Sequence, residues 1–267
     1  MIDVIVLDVD GGTMLKDCIA SIRAQTVAPS RIIVFDNGSR EPVTLRTSGV
    51  EVYRSETNLG FASGANAAFR VRTAAYVALI NNDVILQRDW LEQVRDALER
   101  DPKLAAVQTI IARPDGQIDG AGIDISDGTF RQIGYGRPVG TPLSVAWGVS
   151  ATATLYRAEA LGQRIFDERL FSYYEDVELS ARLHAGGWRV AVLPVVKATH
   201  RGSASASILG GDALRLRTRN RYLVARMHPG IGNVRALLWE DAKLFLRGRS
   251  SMRGIAQGLF AAMKAGE

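Results

Sequence analysis

A single cysteine, Cys18, stands in a chain of 267 residues, so no intrachain disulfide can form, in keeping with a reducing compartment. As a small apolar residue within a helical pattern, Cys18 is expected in the core. No run of about 18 apolar residues free of charge occurs, which leaves no candidate for a membrane-crossing helix. The first residues, Met1-Ile2-Asp3-Val4, carry acid where a secretion signal would carry positive charge, and no such signal is expected. Glycine does not recur at every third place, and neither internal repeats nor low-complexity tracts are evident, which excludes a collagen-like chain. A packed globular protein remains: 47% of the residues are hydrophobic, too many for a disordered chain, and the length allows one large domain or a domain with an appendage. Charge is unevenly spread. Residues 1–200 hold 21 basic and 24 acidic residues, whereas 201–267 hold 12 basic and 4 acidic. An acidic-leaning body with a basic C-terminal segment follows, and that segment suits phosphate, anionic lipid or nucleic acid.

Along the chain, residues 4–9 form an apolar, β-branched run stopped by Asp10-Gly11-Gly12, which reads as a buried strand entering a loop. Leu15, Ile19 and Ile22 then keep helical spacing to about residue 25. Strands are expected at 31–35, 50–54 and 75–80, with helices at 61–72 and 89–99. This alternation predicts an α/β layer with a mostly parallel sheet, whose ligands sit beyond the carboxyl ends of the strands. Asp8 and Asp10, Asp36, and Asp83 all fall at such ends. One acid there is an ordinary turn residue; three strand ends together point to a shared crevice. The glycine-rich stretch 110–150 reads as short strands and loops. Beyond it lie the acids Glu175-Asp176, a helix to about residue 185 closed by Gly186-Gly187, and a strand over 190–196 leading to His200. The helix there rests on Glu178, Ser180 and Arg182 as surface residues. In the tail, Arg215, Arg217, Arg219, Arg221 and Arg226 crowd one candidate helix; Val234, Leu237, Leu238, Ala242, Phe245 and Leu246 stripe a second. A third carries Met252, Ile255, Leu259, Phe260 and Met263. Such amphipathic helices pack on the body or bind a membrane surface.

Five segments in fixed order carry a family resemblance: Asp36-Asn37-Gly38-Ser39; Asn58-Leu59-Gly60-Phe61-Ala62-Ser63-Gly64-Ala65-Asn66; Asn81-Asn82-Asp83-Val84; residues 174–183 around Glu175-Asp176; and His200. Over about residues 2–225 the chain resembles the family 2 glycosyltransferases, most closely bacterial rhamnosyltransferases. The resemblance implies a GT-A fold, a Rossmann-like mixed, mostly parallel sheet flanked by helices. Its nucleotide-sugar-binding half would span 1–110 and its acceptor-binding half 111–230, with 231–267 a basic amphipathic helical appendage. It implies inverting transfer of a sugar, rhamnose from dTDP-rhamnose as the leading choice, from a nucleoside diphosphate donor to a glycan or lipid-linked acceptor of the cell surface or wall. A divalent cation, Mg²⁺ or Mn²⁺, suits the diphosphate because concentrated negative charge calls for a hard cation. Asp83 and His200 match the family's metal positions. Asp8, Asp10, Asp36, Gly60, Gly64, Asn66 and Asn82 match its donor side. Asp176 matches the base, with Glu175, Trp147 and Gly148 toward the acceptor. Inversion needs a carboxylate opposite the leaving group, and of two adjacent acids only one should face the acceptor.

One departure stands out: relatives end the first strand in an Asn-Tyr-Asn-like triplet, whereas this chain has Asp8-Val9-Asp10. Added negative charge beside a diphosphate is unfavourable unless the acids face the base, the ribose or a cation. The competing readings are a weakly active nucleotide-sugar binder, a basic membrane or nucleic-acid-binding module, and a glycoside hydrolase using paired carboxylates. The tail lacks an aromatic ladder or a nucleic-acid motif, so no nucleic acid is expected. A cytoplasmic enzyme, peripheral on the inner membrane through 231–267, is the resulting expectation.

Overall fold

The computed structural model describes residues 1–45, 47–202 and 211–264. β1 (Ile2–Asp8) is buried at every position, as a strand covered on both faces must be. It is followed by α1 (Gly12–Arg23), β2 (Arg31–Asn37), β3 (Val50–Ser55), α2 (Gly60–Arg70) and β4 (Tyr76–Asn81). β3, β2, β1 and β4 pair in that order, parallel throughout. The expected alternation is therefore present, with boundaries shifted by a residue or two.

Beyond β4 the pairing becomes mixed. β5 (Val84–Leu86), α3 (Trp90–Arg100), β6 (Leu104–Ala112) and β7 (Ile118–Gly120) come next, then a short hairpin of β8 (Ile123–Asp124) and β9 (Arg131–Gln132). β10 (Ala153–Arg157) runs antiparallel between β4 and β6, joining the two halves into one sheet ordered β3-β2-β1-β4-β10-β6-β11-β5. After α4 (Ala158–Leu161) and a 3-10 turn (Glu168–Leu170), α5 (Glu175–Ala185) leads into β11 (Arg189–His200). β11 is parallel to β6 and antiparallel to β5.

Two apolar cores cover the sheet. On one face Leu15, Cys18, Ile19 and Ile22 of α1 and Trp90, Leu91, Val94 and Leu98 of α3 pack on Val4, Val6 and Ile80. On the other, Ala62, Ala65 and Phe69 of α2 join Leu179 and Leu183 of α5 over Ile5, Ile33 and Leu79. Cys18 is thus a core residue, its thiol pushed up by burial. α5 is enclosed more fully than a surface helix. Glu178 and Ser180 are buried, contrary to their expected exposure, with Glu178 paired to Arg182 at 2.8 Å and Ser180 Oγ bonded to the Asp176 carbonyl.

The last helices are α6 (Gly211–Met227), α7 (Val234–Phe245) and α8 (Met252–Lys264). With Tyr222, Leu223 and Val224 of α6, Leu237 of α7 enters a third core that also holds Phe130, Leu170 and Val177. α8 lies close on α6: a Cβ at Gly254 would meet the Arg215 carbonyl oxygen at 2.7 Å, and one at Gly258 that of Arg219 at 2.6 Å. The apolar stripe expected on α7 divides, Leu237 facing inward while Leu238, Phe245 and Leu246 are exposed. Residues 231–264 are therefore packed onto the body. Among the described residues, no helix is long and apolar enough to cross a membrane.

Candidate active site

Parallel pairing brings the carboxyl ends of β1, β2 and β4 to one edge. Asp8 lies in register with Asp36, and Leu7 with Asn81. Asp36 is fully buried. Its carboxylate accepts N–H groups from Ser39 at 2.9 Å and Val43 at 3.0 Å and is paired with Arg54 of β3. Burial alone would raise the Asp36 carboxyl, but these donors outweigh it and hold it below the usual carboxylate range. Asp8 has a different setting. It accepts from Asn82 Nδ2 at 2.6 Å and more weakly from Gly11 N–H at 3.3 Å, and burial pushes its carboxyl up. Asp10 sits at the exposed rim at φ 51° and grips Arg40 at 3.0 Å. The three acids of the unusual first-strand ending and its neighbour thus have separate partners, which spreads the extra negative charge.

Asp83 follows directly on that edge and is buried. His200 arrives beside it because β11 pairs with β5, His200 opposite Val84. His200 Nε2 stands 3.1 Å from Asp83 Oδ1, and its Nδ1 stands 2.8 Å from Asp119 Oδ2 on β7. Burial works against a charged imidazole, yet the two carboxylates overcome it and lift His200 to about 9. Among the described residues, no three His, Cys, Asp or Glu groups form a metal cage by themselves. A hard divalent cation completed by substrate oxygens fits this donor set only once His200 gives up its Nε2 proton: Asp83 would then offer one carboxylate and His200 one ring nitrogen, with Asp119 holding the far ring nitrogen. Asp119 had no sequence signal, since it lies in a glycine-rich stretch far along the chain from His200.

Three expected donor-side residues serve the frame. Gly60, at φ 81°, lies under Phe171, whose ring and carbonyl oxygen a Cβ would meet at 2.6 Å. Gly64 is pressed on Leu7 and Asn37. Asn66 is buried with its amide committed: Nδ2 donates to the Phe166 carbonyl at 2.9 Å, and Oδ1 accepts from the N–H groups of Ile165 and Phe166. It staples α2 to the segment leading into α5.

That segment delivers Glu175 and Asp176. Phe171 accepts a hydrogen bond from Ala62 N–H at 3.0 Å, fixing the turn before α5 to the start of α2. Asn81 N–H donates to the Thr152 carbonyl at 2.9 Å, and the backbone of Ala151, in the same stretch, is near enough to the Asp176 carboxylate to favour its charged form. Asp176 thereby stands at the edge that carries Asp83. The two adjacent acids differ. Asp176 is half-buried, whereas Glu175 is buried with Oε2 lacking a partner. Burial raises both carboxyls, and the neighbouring Asp176 charge lifts Glu175 further. Glu175 therefore holds its proton more tightly than the more accessible Asp176, an arrangement suited to Asp176 accepting a proton. Trp147 is half-buried, its ring 5.1 Å from that of His184 and its carbonyl bonded to His184 Nε2. Gly148 lets this strand segment touch α5, since a Cβ would lie 2.8 Å from Ser180 Oγ.

Comparison with known proteins identifies the family and the fold. The sequence model described as Glycosyl transferase family 2 matches residues 4–164. An N-acetylglucosaminyl-diphospho-decaprenol L-rhamnosyltransferase of Mycobacterium tuberculosis is 25% identical over 269 residues, covering 86% of either chain. An O-antigen biosynthesis protein of Myxococcus xanthus is 27% identical over 76% of this chain, which spans 17% of that longer protein. Among solved structures, S. aureus TarS 1-349 in complex with UDP-GlcNAc aligns with a TM-score of 0.62 at 15% identity, over 85% of this chain and 64% of TarS. GalNAc-T7 with UDP, GalNAc and Mn²⁺ aligns with a TM-score of 0.62 at 14% identity, over 93% of this chain and 57% of its own. The architecture is the GT-A fold.

Proposed function

Because the chain belongs to glycosyl transferase family 2, we propose that it is an inverting transferase in which Asp176 takes the proton from an acceptor hydroxyl. The observation that carries this is the pair at the start of α5: Asp176 is half-buried and accessible, while Glu175 beside it is buried with Oε2 unpartnered, and burial raises both carboxyls. As the acceptor oxygen bonds to the sugar C1, the bond from C1 to the diphosphate breaks with its electron pair on the leaving oxygen. The acceptor proton moves to Asp176. Asp83 and His200 would hold a divalent cation, which when bound neutralises charge developing on the leaving diphosphate. Asp119 steadies His200 for that task. Asp36 and Asp8 border the nucleoside pocket, and Asp10 with Arg40 lines its outer rim. Gly60, Gly64 and Asn66 shape the pocket wall. Trp147 and Gly148 lie on the acceptor side of α5.

The donor proposed is dTDP-rhamnose and the acceptor a lipid-linked sugar diphosphate, supported by the M. tuberculosis relative's name. For contact with such an acceptor, the exposed Trp239, Phe245, Leu246 and Met252 lie among Lys243, Arg247, Arg249 and Arg253. Apolar side chains surrounded by cations suit the surface of an anionic membrane, so the enzyme is proposed to work peripherally there.

The test pairs binding with transfer. dTDP-rhamnose with Mg²⁺ or Mn²⁺ should raise the melting temperature, and chelator or Asp83→Ala should remove most of that rise. Asp176→Asn should keep the rise while transfer falls by about 10²–10⁴-fold. Wild-type transfer by Asp176→Asn would reject the base.

A further inference from the structure

The backbone that presents Asp176 is unusual. Phe171, Tyr173 and Tyr174, none of them glycine, have φ values of 63°, 74° and 66°, the left-handed region that side chains disfavour. Tyr174 immediately precedes α5, so the direction in which Glu175 and Asp176 leave the turn depends on keeping this backbone. Such a conformation persists only where its surroundings over-determine it.

On one side the turn is held by α2, through Ala62 N–H and the packing of Phe171 on Gly60. On the other it meets α6. Asn220 of α6 is fully buried, and its Nδ2 stands 2.8 Å from each of the carbonyl oxygens of Leu170, Ser172 and Tyr173. Two N–H groups are thus shared among three acceptors. Its Oδ1 accepts from Arg219 Nε at 2.8 Å, and Arg219 Nη2 donates to the carbonyl of Arg169 at 2.6 Å. An amide side chain is required here: no apolar side chain supplies donors, and an ionised carboxylate would face three carbonyl oxygens.

We infer that Asn220 is a positioning residue for transfer, clasping the strained 171–174 turn from outside the crevice so that the Asp176 carboxylate meets the acceptor hydroxyl. This rests on Asp176 as the base. Asn220 itself touches neither substrate, and its loss should act on the chemical step while leaving the donor pocket, built on β1, β2 and β4, intact.

The experiment measures transfer from dTDP-rhamnose to a polyprenyl diphospho-N-acetylglucosamine acceptor by Asn220→Ala and Asn220→Asp, with donor affinity measured on the same samples. Expected is a fall in kcat of about 100-fold, since a displacement near 1 Å can cost that much, with donor KM and Kd within about twofold of the parent. Asp176→Glu, which moves the carboxylate but retains it, supplies the second arm. Combined with Asn220→Ala it should lose little more than the worse single variant, because both act on one carboxylate. The inference is overturned if kcat stays near the parent value, if donor affinity falls in step with kcat, or if the two losses multiply. Asp176→Asn separates the readings: wild-type transfer there sinks the base assignment whatever Asn220 does. Should alanine leave too little folded enzyme, Asn220→Ser, uncharged and reduced to a single donor, carries the same criteria.

Discussion

The ionisation of Asp176 makes the clearest demand on experiment. A base must be unprotonated to accept a proton, and burial raises this carboxyl above its ordinary value. The transfer rate should therefore fall with acid, with a midpoint above the usual aspartate range and a slope of roughly tenfold per unit well below that midpoint. An inflection near about 4, where an exposed aspartate titrates, would mean that the acid governing turnover is not Asp176. Acids such as Asp36 and Asp83 were legible from sequence because strand ends are marked by local turn chemistry. The partners that decide their behaviour were not. Arg54 reaches Asp36, Asn82 reaches Asp8 and Asp119 reaches His200 only because distant strands lie side by side, and Asn66 reaches segment 165–166 across about a hundred residues. No local spacing encodes such contacts.

Segments of the fold differ in how plainly they announce themselves. β1 to β4 and their helices follow from hydrophobic period and turn residues, since each unit is local. β10 is less legible: it enters the sheet centre antiparallel, through a pairing with β4 that spans more than seventy residues. The turn at 171–174 is hidden as well, because nothing in Phe171-Ser172-Tyr173-Tyr174 signals left-handed backbone. Its seat on α2 can be probed at Gly60. At φ 81° and with Phe171 atoms at 2.6 Å from an added Cβ, Gly60→Ala combines backbone strain with a clash. A loss of about 1–3 kcal/mol or more is expected, read as a lower urea midpoint at unchanged slope. A variant as stable as the parent would mean that the α2 start and the turn can separate freely.

The basic tail changes meaning once its packing is considered. Much of its charge is spent internally: Arg221 pairs with Glu240 and Asp241, and Asp241 also accepts from Tyr222 and Ser250 in a buried cluster. Asp241→Ala would leave Arg221 with Glu240 alone and deprive the buried Tyr222 and Ser250 hydroxyls of their acceptor, and about 1–3 kcal/mol of stability should go with it in calorimetry or urea unfolding. The outward cations and apolar residues are the ones proposed to meet lipid. Replacing Trp239, Phe245 and Leu246 together with serine should lower flotation with vesicles containing anionic lipid while leaving the melting temperature within a few degrees. Equal flotation would count against lipid contact by this face. The polar lock at Asp241 has a last consequence for such an enzyme on a lipid surface. On the proposed lipid surface an arm on a hinge would let the crevice wander, whereas helices bolted to the body would give it a set altitude above the bilayer, and the reach of an acceptor headgroup would become a length the protein measures.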